Sequence, residues 1–133
     1  ENHNFMVNHR QKKVDVISNF IPKAKPFGDE SGELLVIGWG GTFGAIRSAV
    51  ERARIDGKSV SHLHLKHLNP FPKNLGDVLV KFQNILIPEL NLGQLSTLIR
   101  AKFLVDAKGL NKVAGKPFTT VEVYNRINEI LKD

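Results

Sequence analysis

The feature that most limits how this chain can fold is a run of four aliphatic residues, Leu34 to Ile37, closed at once by Gly38. A strand that is apolar on both faces is typical of a parallel sheet with helices packed on both sides. In the segment that follows, apolar side chains recur at helical spacing, at Ile46, Ala49, Val50 and Ala53. The sequence therefore predicts a buried strand, a glycine-rich turn and an amphipathic helix as the first unit of an α/β domain.

Strand patterns and helix patterns go on alternating along the rest of the chain. Further strands are predicted at residues 60–65, 84–87, 103–105 and, at one edge, 110–113. Further helices are predicted at residues 73–82, at 92–100 and from Thr119 onward. This order predicts an α/β fold, namely a three-layer α/β/α sandwich with a mostly parallel five-stranded sheet.

Two of these helices carry more detailed expectations. The helix at 92–100 should bury Leu95, Leu98 and Ile99, which lie at helical spacing. The last helix should begin with a capping box, because Thr119 and Glu122 stand three residues apart at its start.

The first 32 residues differ from the rest. Residues 3–21 have apolar side chains near the helical period and end at Ile21-Pro22, which predicts a peripheral helix, and residues 22–32 read as a linker rich in Pro and Gly. We expect residues 1–32 to be a linking helix and linker from an upstream domain, and residues 33–133 to be the α/β domain. The first residue is Glu1, which also favours a segment of a longer polypeptide.

Composition excludes several classes of function. The chain has 133 residues, so one domain is expected, and it has no cysteine, which excludes disulfides, thiolate metal sites and cysteine-ligated iron–sulfur clusters and agrees with a cytoplasmic location. The net charge of +6 comes from scattered basic residues, so no nucleic-acid partner is expected. No apolar stretch reaches the length of about 18 residues that a membrane helix needs, so no membrane partner is expected either.

The glycine-rich turn at residues 38–44 leaves two interpretations open. Gly40, Gly41 and Thr42 could present free amides to an anion or a partner, or the glycines could serve only close packing of strand against helix. The turn does not match the dinucleotide-binding fingerprint, since Phe43 stands where its third glycine belongs. No stretch of the chain completes a P-loop.

Histidines and polar residues near the strand ends give weaker signals. His62 and His64 share one face of the second strand and His67 follows, so a three-imidazole metal site competes with partly buried or interface histidines. Where the third strand meets its helix, a cap with Asn91 as N-cap competes with a contact role for Glu89, Asn91 and Gln94 at the carboxyl edge of the sheet.

Four ordered motifs resemble one known family along nearly the whole chain. They are GWGGTFG at 38–44, HLHLKHLNPFP at 62–72, PELNLGQL at 88–95, and FLVDA at 103–107 with NKVAGKPF at 111–118. Together they are similar to the C-terminal domain of the alpha subunit of 2-oxoacid:ferredoxin oxidoreductases, most closely the 2-oxoglutarate type. Gly41 and Phe43 depart from the family, which often has Ser and Tyr there.

This resemblance implies a transketolase C-terminal-like fold and a holoenzyme that oxidatively decarboxylates a 2-oxoacid to an acyl-coenzyme A, with electrons passed to ferredoxin. It implies that the holoenzyme uses thiamine diphosphate, Mg²⁺, a 4Fe-4S cluster and coenzyme A. The partners implied are the rest of the alpha subunit, the beta subunit and ferredoxin. This fragment is expected to bind none of the cofactors and to be inactive alone.

We therefore expect a structural, subunit-interface domain, with its contact surface at the carboxyl edge of the sheet. The residues expected at that surface, for an interface or an anion contact, are Gly40, Gly41, Thr42, His64, Asn69, Glu89, Asn91, Gln94 and Asn111. The alternative is a free-standing module that binds an anion or coenzyme A through the turn at 38–44.

Overall fold

A computed structural model of the chain describes residues 20–90, 93–112 and 115–132. Within these residues the strands are β1 (Gly32–Trp39), β2 (Val60–Leu65), β3 (Phe82–Glu89) and β4 (Ala107–Asn111). The helices are α1 (Phe43–Ile55), α2 (Leu75–Leu79), α3 (Gln94–Phe103) and α4 (Thr120–Leu131), and a 3-10 turn at Gly40–Thr42 leads into α1. In the part of the chain described here, no helix is long and apolar enough to cross a membrane.

The strands form one parallel sheet in the order β2-β1-β3-β4. Leu35 in β1 pairs with Ser61 of β2 on one side and with Ile85 of β3 on the other, so β1 lies at the centre. Because all strands run the same way, their carboxyl ends lie along one edge of the sheet. We call this the carboxyl edge, at which the strands end with Trp39, Leu65, Glu89 and Asn111.

Helices cover both faces of the sheet, as the continuous apolar run in β1 predicts. Leu34 and Val36 point to one face, where they pack with the buried residues of α1 and α4. Leu35 and Ile37 point to the other face, where they pack with α2 and α3. This alternation follows from the two-residue period of a strand, and it confirms the three-layer α/β/α sandwich.

The described sheet has four strands, so the prediction of five is not confirmed. The strand predicted at 103–105 is wrong, because Phe103 is the last residue of α3 and Leu104 has a left-handed backbone with φ of 55°. The chain turns there before β4 begins at Ala107, and β4 takes the edge position that was predicted for residues 110–113. Phe103 packs on Phe71, with ring centroids 5.8 Å apart, and this contact favours a longer helix over a strand.

One helix differs from the prediction in its buried face and another in its length. Leu98 is 51% exposed, because α3 buries the line through Leu95 and Ile99, four residues apart. The helix predicted at 73–82 is limited to α2, and Phe82 is instead the first residue of β3.

The segment that precedes the sheet is attached to it at two points. The backbone of Ala24 exchanges two hydrogen bonds with the side-chain amide of Asn74, at 2.7 and 2.8 Å. Phe27 forms an antiparallel bridge with His62 in β2, with N–O distances of 2.7 and 3.0 Å. We call residues 22–27 the strap. The helix predicted over residues 3–21 falls almost wholly outside the described residues.

Candidate functional site

The glycine-rich turn carries the chain from β1 to α1 at the carboxyl edge. Gly40 has a left-handed backbone with φ of 62°, which favours glycine. Thr42 is buried, and its hydroxyl donates to the carbonyl of Trp39 at 3.0 Å. Thr42 therefore stabilises the turn from within and offers its hydroxyl to no outside group.

The glycines of this turn serve two different purposes. A Cβ added at Gly38 would lie 2.5 Å from Cδ1 of Ile46 and 2.8 Å from the Thr42 hydroxyl, so this glycine allows close packing of strand on helix. A Cβ added at Gly40, Gly41 or Gly44 would meet nothing within 4 Å. The packing interpretation holds for Gly38 alone, and Gly40 and Gly41 form an open surface.

Glu89, the last residue of β3, is fully buried and caps α3 with its side chain. Its Oε1 accepts from the amide of Leu95 at 2.6 Å, and its Oε2 accepts from the amide of Ser96 at 3.0 Å. The indole Nε1 of Trp39 lies 3.4 Å from the same Oε1. A carboxylate at this position satisfies amides that no residue of α3 can reach and faces the positive end of the helix dipole.

The start of α3 is therefore capped, as one of the two interpretations predicted, but the capping residues differ from that prediction. The N-cap position belongs to Gly93, in a left-handed conformation with φ of 82°, and the capping side chain comes from Glu89. Asn91 lies outside the described residues. Gln94 is the first residue of α3 and is exposed.

Asn111 and Asn69 occupy other parts of the same edge. Asn111 ends β4, and a Cβ added at Gly93 would lie 3.3 Å from its Nδ2, so the amide lies against the start of α3. Asn69 is exposed in the segment after β2 and is joined to Pro70 by a cis peptide bond.

His62 in β2 is 1% exposed and belongs to an aromatic and cationic cluster. Its Nδ1 accepts from Nε of Arg47 at 3.1 Å, which places the ring proton of neutral His62 on Nε2. The Arg47 guanidinium lies over the rings of Phe27 and Phe43, at 3.8 and 4.8 Å from their centroids. Burial, then the charge of Arg47 and the neighbouring His64, lower the pKa of His62 to about 3.

His64 lies two residues further along β2 and is half-buried. Its ring meets that of Phe43 edge-on, with centroids 5.1 Å apart. Burial lowers its pKa, and the charges of Lys66 and Arg47 add to the effect. Among the described groups, Nε2 of His62 and Nδ1 of His64 are buried without a hydrogen-bond partner.

This geometry disfavours the three-imidazole metal site. A metal would need a lone pair on each ring, but the contact with Arg47 uses the Nδ1 lone pair of His62 and leaves Nε2 protonated. Over residues 20–90, 93–112 and 115–132, no group of three His, Cys, Asp or Glu side chains could hold a metal ion. The alternative is partly buried or interface histidines: His64 is half-buried, whereas His62 is fully buried.

Three residues of the carboxyl edge were missed by sequence reasoning. Trp39 contacts Glu89 across the sheet, and Arg47 and Phe43 surround the β2 histidines. An arginine four residues after an aromatic residue on one helix face was the available signal, since such a pair can stack together.

The three layers, the all-parallel sheet and the turn after its central strand define a transketolase C-terminal-like α/β domain. A solved split-gene transketolase is 14% identical to this chain, with a TM-score of 0.59. The match covers 75% of this chain and 38% of the transketolase chain, and at this identity it supports the fold alone. Residues 32–123 match the family model described as pyruvate:ferredoxin oxidoreductase core domain II. The chain belongs to that family, as its motifs predict.

Two relatives match nearly the whole chain. The 2-oxoglutarate oxidoreductase subunit KorA of Mycobacterium tuberculosis is 47% identical over an alignment of 133 positions, which covers 98% of this chain and 20% of that protein. The solved 2-oxoglutarate:ferredoxin oxidoreductase of Magnetococcus marinus, with 2-oxoglutarate, coenzyme A and succinyl-CoA bound, is 29% identical with a TM-score of 0.88 and covers 97% of this chain and 23% of its own. This chain spans about a fifth of the length of these relatives.

Proposed function

We propose that this chain is a structural, subunit-interface domain of the alpha subunit of a 2-oxoglutarate:ferredoxin oxidoreductase. The holoenzyme would oxidatively decarboxylate 2-oxoglutarate to an acyl-coenzyme A and pass the electrons to ferredoxin. The observation that carries the proposal is the 47% identity to the Mycobacterium tuberculosis 2-oxoglutarate oxidoreductase subunit over 98% of this chain. The Magnetococcus marinus structure, whose bound ligands include 2-oxoglutarate and succinyl-CoA, supports the same substrate.

The structural role is supported by how the polar groups of the carboxyl edge are used. The carboxylate of Glu89 caps α3, and the hydroxyl of Thr42 holds the turn, so neither group is placed to exchange protons with a substrate. Between these fixed points, Gly40 and Gly41 leave an open backbone surface that a neighbouring domain or subunit can approach closely.

The residues of this chain do not fit the cofactors of such an enzyme. A 4Fe-4S cluster is held by cysteine thiolates, and the sequence has no cysteine. The sequence also has no Gly-Asp-Gly to open a motif for thiamine diphosphate and Mg²⁺. We therefore assign the cluster, thiamine diphosphate and Mg²⁺ to other parts of the holoenzyme, and we propose the same for coenzyme A. We place the holoenzyme in the cytoplasm, with the beta subunit and ferredoxin as partners of the alpha subunit.

The interface role is tested with two variants, each of which places one bulky side chain at a different edge of the sheet. Gly41→Trp in the full-length alpha subunit puts an indole on the open surface, and Lys81→Trp puts the same indole on an exposed position just before β3, at the opposite edge. We expect Gly41→Trp to weaken association with the beta subunit at least tenfold by analytical ultracentrifugation, and Lys81→Trp to leave it unchanged. Equal association of both variants would contradict the interface role.

The substrate assignment needs a separate measurement. Ferredoxin reduction by the purified alpha–beta complex should depend on coenzyme A and be fastest with 2-oxoglutarate among simple 2-oxoacids. A preference for pyruvate would replace the 2-oxoglutarate assignment but leave the structural role intact. Tight binding of coenzyme A to this chain alone, by calorimetry, would instead favour the free-standing module.

A further inference from the structure

A basic pocket lies between the strap and the carboxyl end of β2. Its volume is about 250 Å³, and its lining comes from residues 22–25 of the strap, residues 63–67 and Pro72. Its apolar lining residues include Leu63, Leu65 and Pro72. The other lining residues include Lys23, Lys25, Lys66, His64 and His67.

The walls of this pocket are fixed by contacts within the chain. Ala24 lies between Lys23 and Lys25, and its two hydrogen bonds with Asn74 hold this part of the strap in place. The antiparallel bridge between Phe27 and His62 holds the end of the strap against β2. A site that is already formed does not lose binding free energy to ordering its walls.

The charge of the pocket has one sign. Three lysines and two histidines line it, and no carboxylate is among the lining residues. The strap carries an acidic neighbour, Asp29, but its Oδ2 is paired with Arg54 at 3.2 Å. Three lysines around one small space, with no carboxylate among the described lining residues, favour an anion of more than one charge.

We propose that this pocket binds a phosphate group of a small molecule. Lysine ammonium groups bind phosphate as point charges, and a dianion gains more from three of them than a single carboxylate does. The volume is slightly below the range of about 300 to 1,000 Å³ that is usual for whole drug-sized ligands. The pocket therefore suits the phosphate group itself, with the rest of a larger ligand outside.

The state of His64 agrees with such a ligand. Its Nδ1 is buried without a partner among the described groups, and burial, followed by the charges of Lys66 and Arg47, lowers its pKa. A phosphate in the pocket would offset these positive charges. This inference does not depend on which 2-oxoacid the holoenzyme uses.

The test is calorimetric titration of inorganic phosphate and of pyrophosphate into the full-length alpha subunit, both alone and in complex with its beta subunit. The complex is first saturated with thiamine diphosphate and Mg²⁺, and the excess is then removed because free Mg²⁺ binds both anions. The double variant Lys23→Gln/Lys66→Gln removes two lysines of the pocket, and Lys81→Gln removes an exposed lysine at the opposite edge. We expect saturable binding of at least one of the two anions. The double variant should weaken it at least tenfold, and Lys81→Gln should change it less than twofold.

Three results would overturn the proposal. They are no saturable binding to the wild type, an equal loss in the double variant and in Lys81→Gln, or binding to the alpha subunit alone that is lost in the alpha–beta complex. The last result would mean that the beta subunit fills the pocket. Melting temperatures without phosphate should agree among the three proteins, because the substituted lysines are exposed. If the double variant lost phosphate binding but kept normal subunit assembly and 2-oxoglutarate turnover, the phosphate site would be supported and the proposed function would stand independently of it.

Discussion

The indole of Trp39 and the carboxylate of Glu89 meet across the two central strands of the sheet, with Nε1 of one 3.4 Å from Oε1 of the other. Trp39 ends β1 just before the glycine-rich turn, and Glu89 ends β3 just before α3. The contact joins two corners of the carboxyl edge that are separate in sequence. It places the turn and the start of α3 in fixed positions relative to each other.

The substitution Glu89→Gln should destabilise the fold strongly. The amide keeps one acceptor oxygen, but its NH₂ group would face a backbone amide donor of Leu95 or Ser96 and leave that donor unsatisfied. Loss of a charge-assisted hydrogen bond and of the charge at the helix start should lower the free energy of unfolding by about 2–4 kcal/mol. Urea denaturation followed by circular dichroism measures this change.

The matched control for Glu89 is Glu30→Gln, since Glu30 is exposed in the segment before β1. It removes the same charge from the chain and should change the free energy of unfolding by less than about 0.5 kcal/mol. If both variants lost the same stability, net charge would be the cause, and the capping role of Glu89 would be wrong.

The fold should lose stability in acid because of His62. Its pKa is about 3 in the folded chain, as a result of burial and of Arg47, and the pKa of an unfolded histidine is about 6.5. Between these values the unfolded chain binds the additional proton, so stability is complete above pH 6.5 and falls as the pH decreases toward 3. The slope from this one group is at most about 1.4 kcal/mol per pH unit. Urea denaturation at a series of pH values from 7 to 4 measures it.

The variant His62→Gln should be less stable at pH 7 but lose less further stability on acidification. Gln keeps an oxygen that can accept from Arg47, and it has no proton to take up. His67→Gln serves as the control, because His67 is exposed after β2. An unchanged slope in His62→Gln would show that other groups, such as His64, dominate the acid response.

The layers of this fold could be predicted because they depend on local patterns. The apolar run from Leu34 to Ile37 determines that β1 is covered on both faces, and the apolar spacing in α1 determines which side of that helix is buried. The capping box of Thr119 and Glu122 is present where it was predicted, since its residues are neighbours in sequence.

The remaining features depend on contacts between distant residues. No local pattern shows that Glu89 would cap α3 from the end of β3, or that Arg47 would stack on Phe27, twenty positions away. The predicted strand at 103–105 failed for the same reason. The apolar residues there suit a strand, but the contact of Phe103 with Phe71 favours one more turn of helix.

Two glycines of the turn should respond in opposite ways to alanine. Gly38→Ala places a methyl group 2.5 Å from Cδ1 of Ile46 and should destabilise the fold by about 1–3 kcal/mol through overpacking. Gly41→Ala meets nothing within 4 Å and should be neutral or stabilising by up to about 1 kcal/mol, because alanine restricts the unfolded chain. Parallel thermal and urea denaturation of both variants distinguishes them. Equal losses in the two would mean that the whole turn is under conformational strain.

The start of α4 offers a test of a purely local device. Oγ1 of Thr119 accepts from the amide of Glu122 at 3.2 Å, and Oε1 of Glu122 accepts from the amide of Thr119 at 2.9 Å, so each satisfies a free amide of the other. Thr119→Ala should lower the free energy of unfolding by about 1 kcal/mol, because the amide of Glu122 then loses its side-chain acceptor. Thr119→Ser keeps the hydroxyl and should recover most of that loss in the same urea denaturation. If Ser were as destabilising as Ala, the methyl group of Thr119 and not its hydrogen bond would stabilise the helix start.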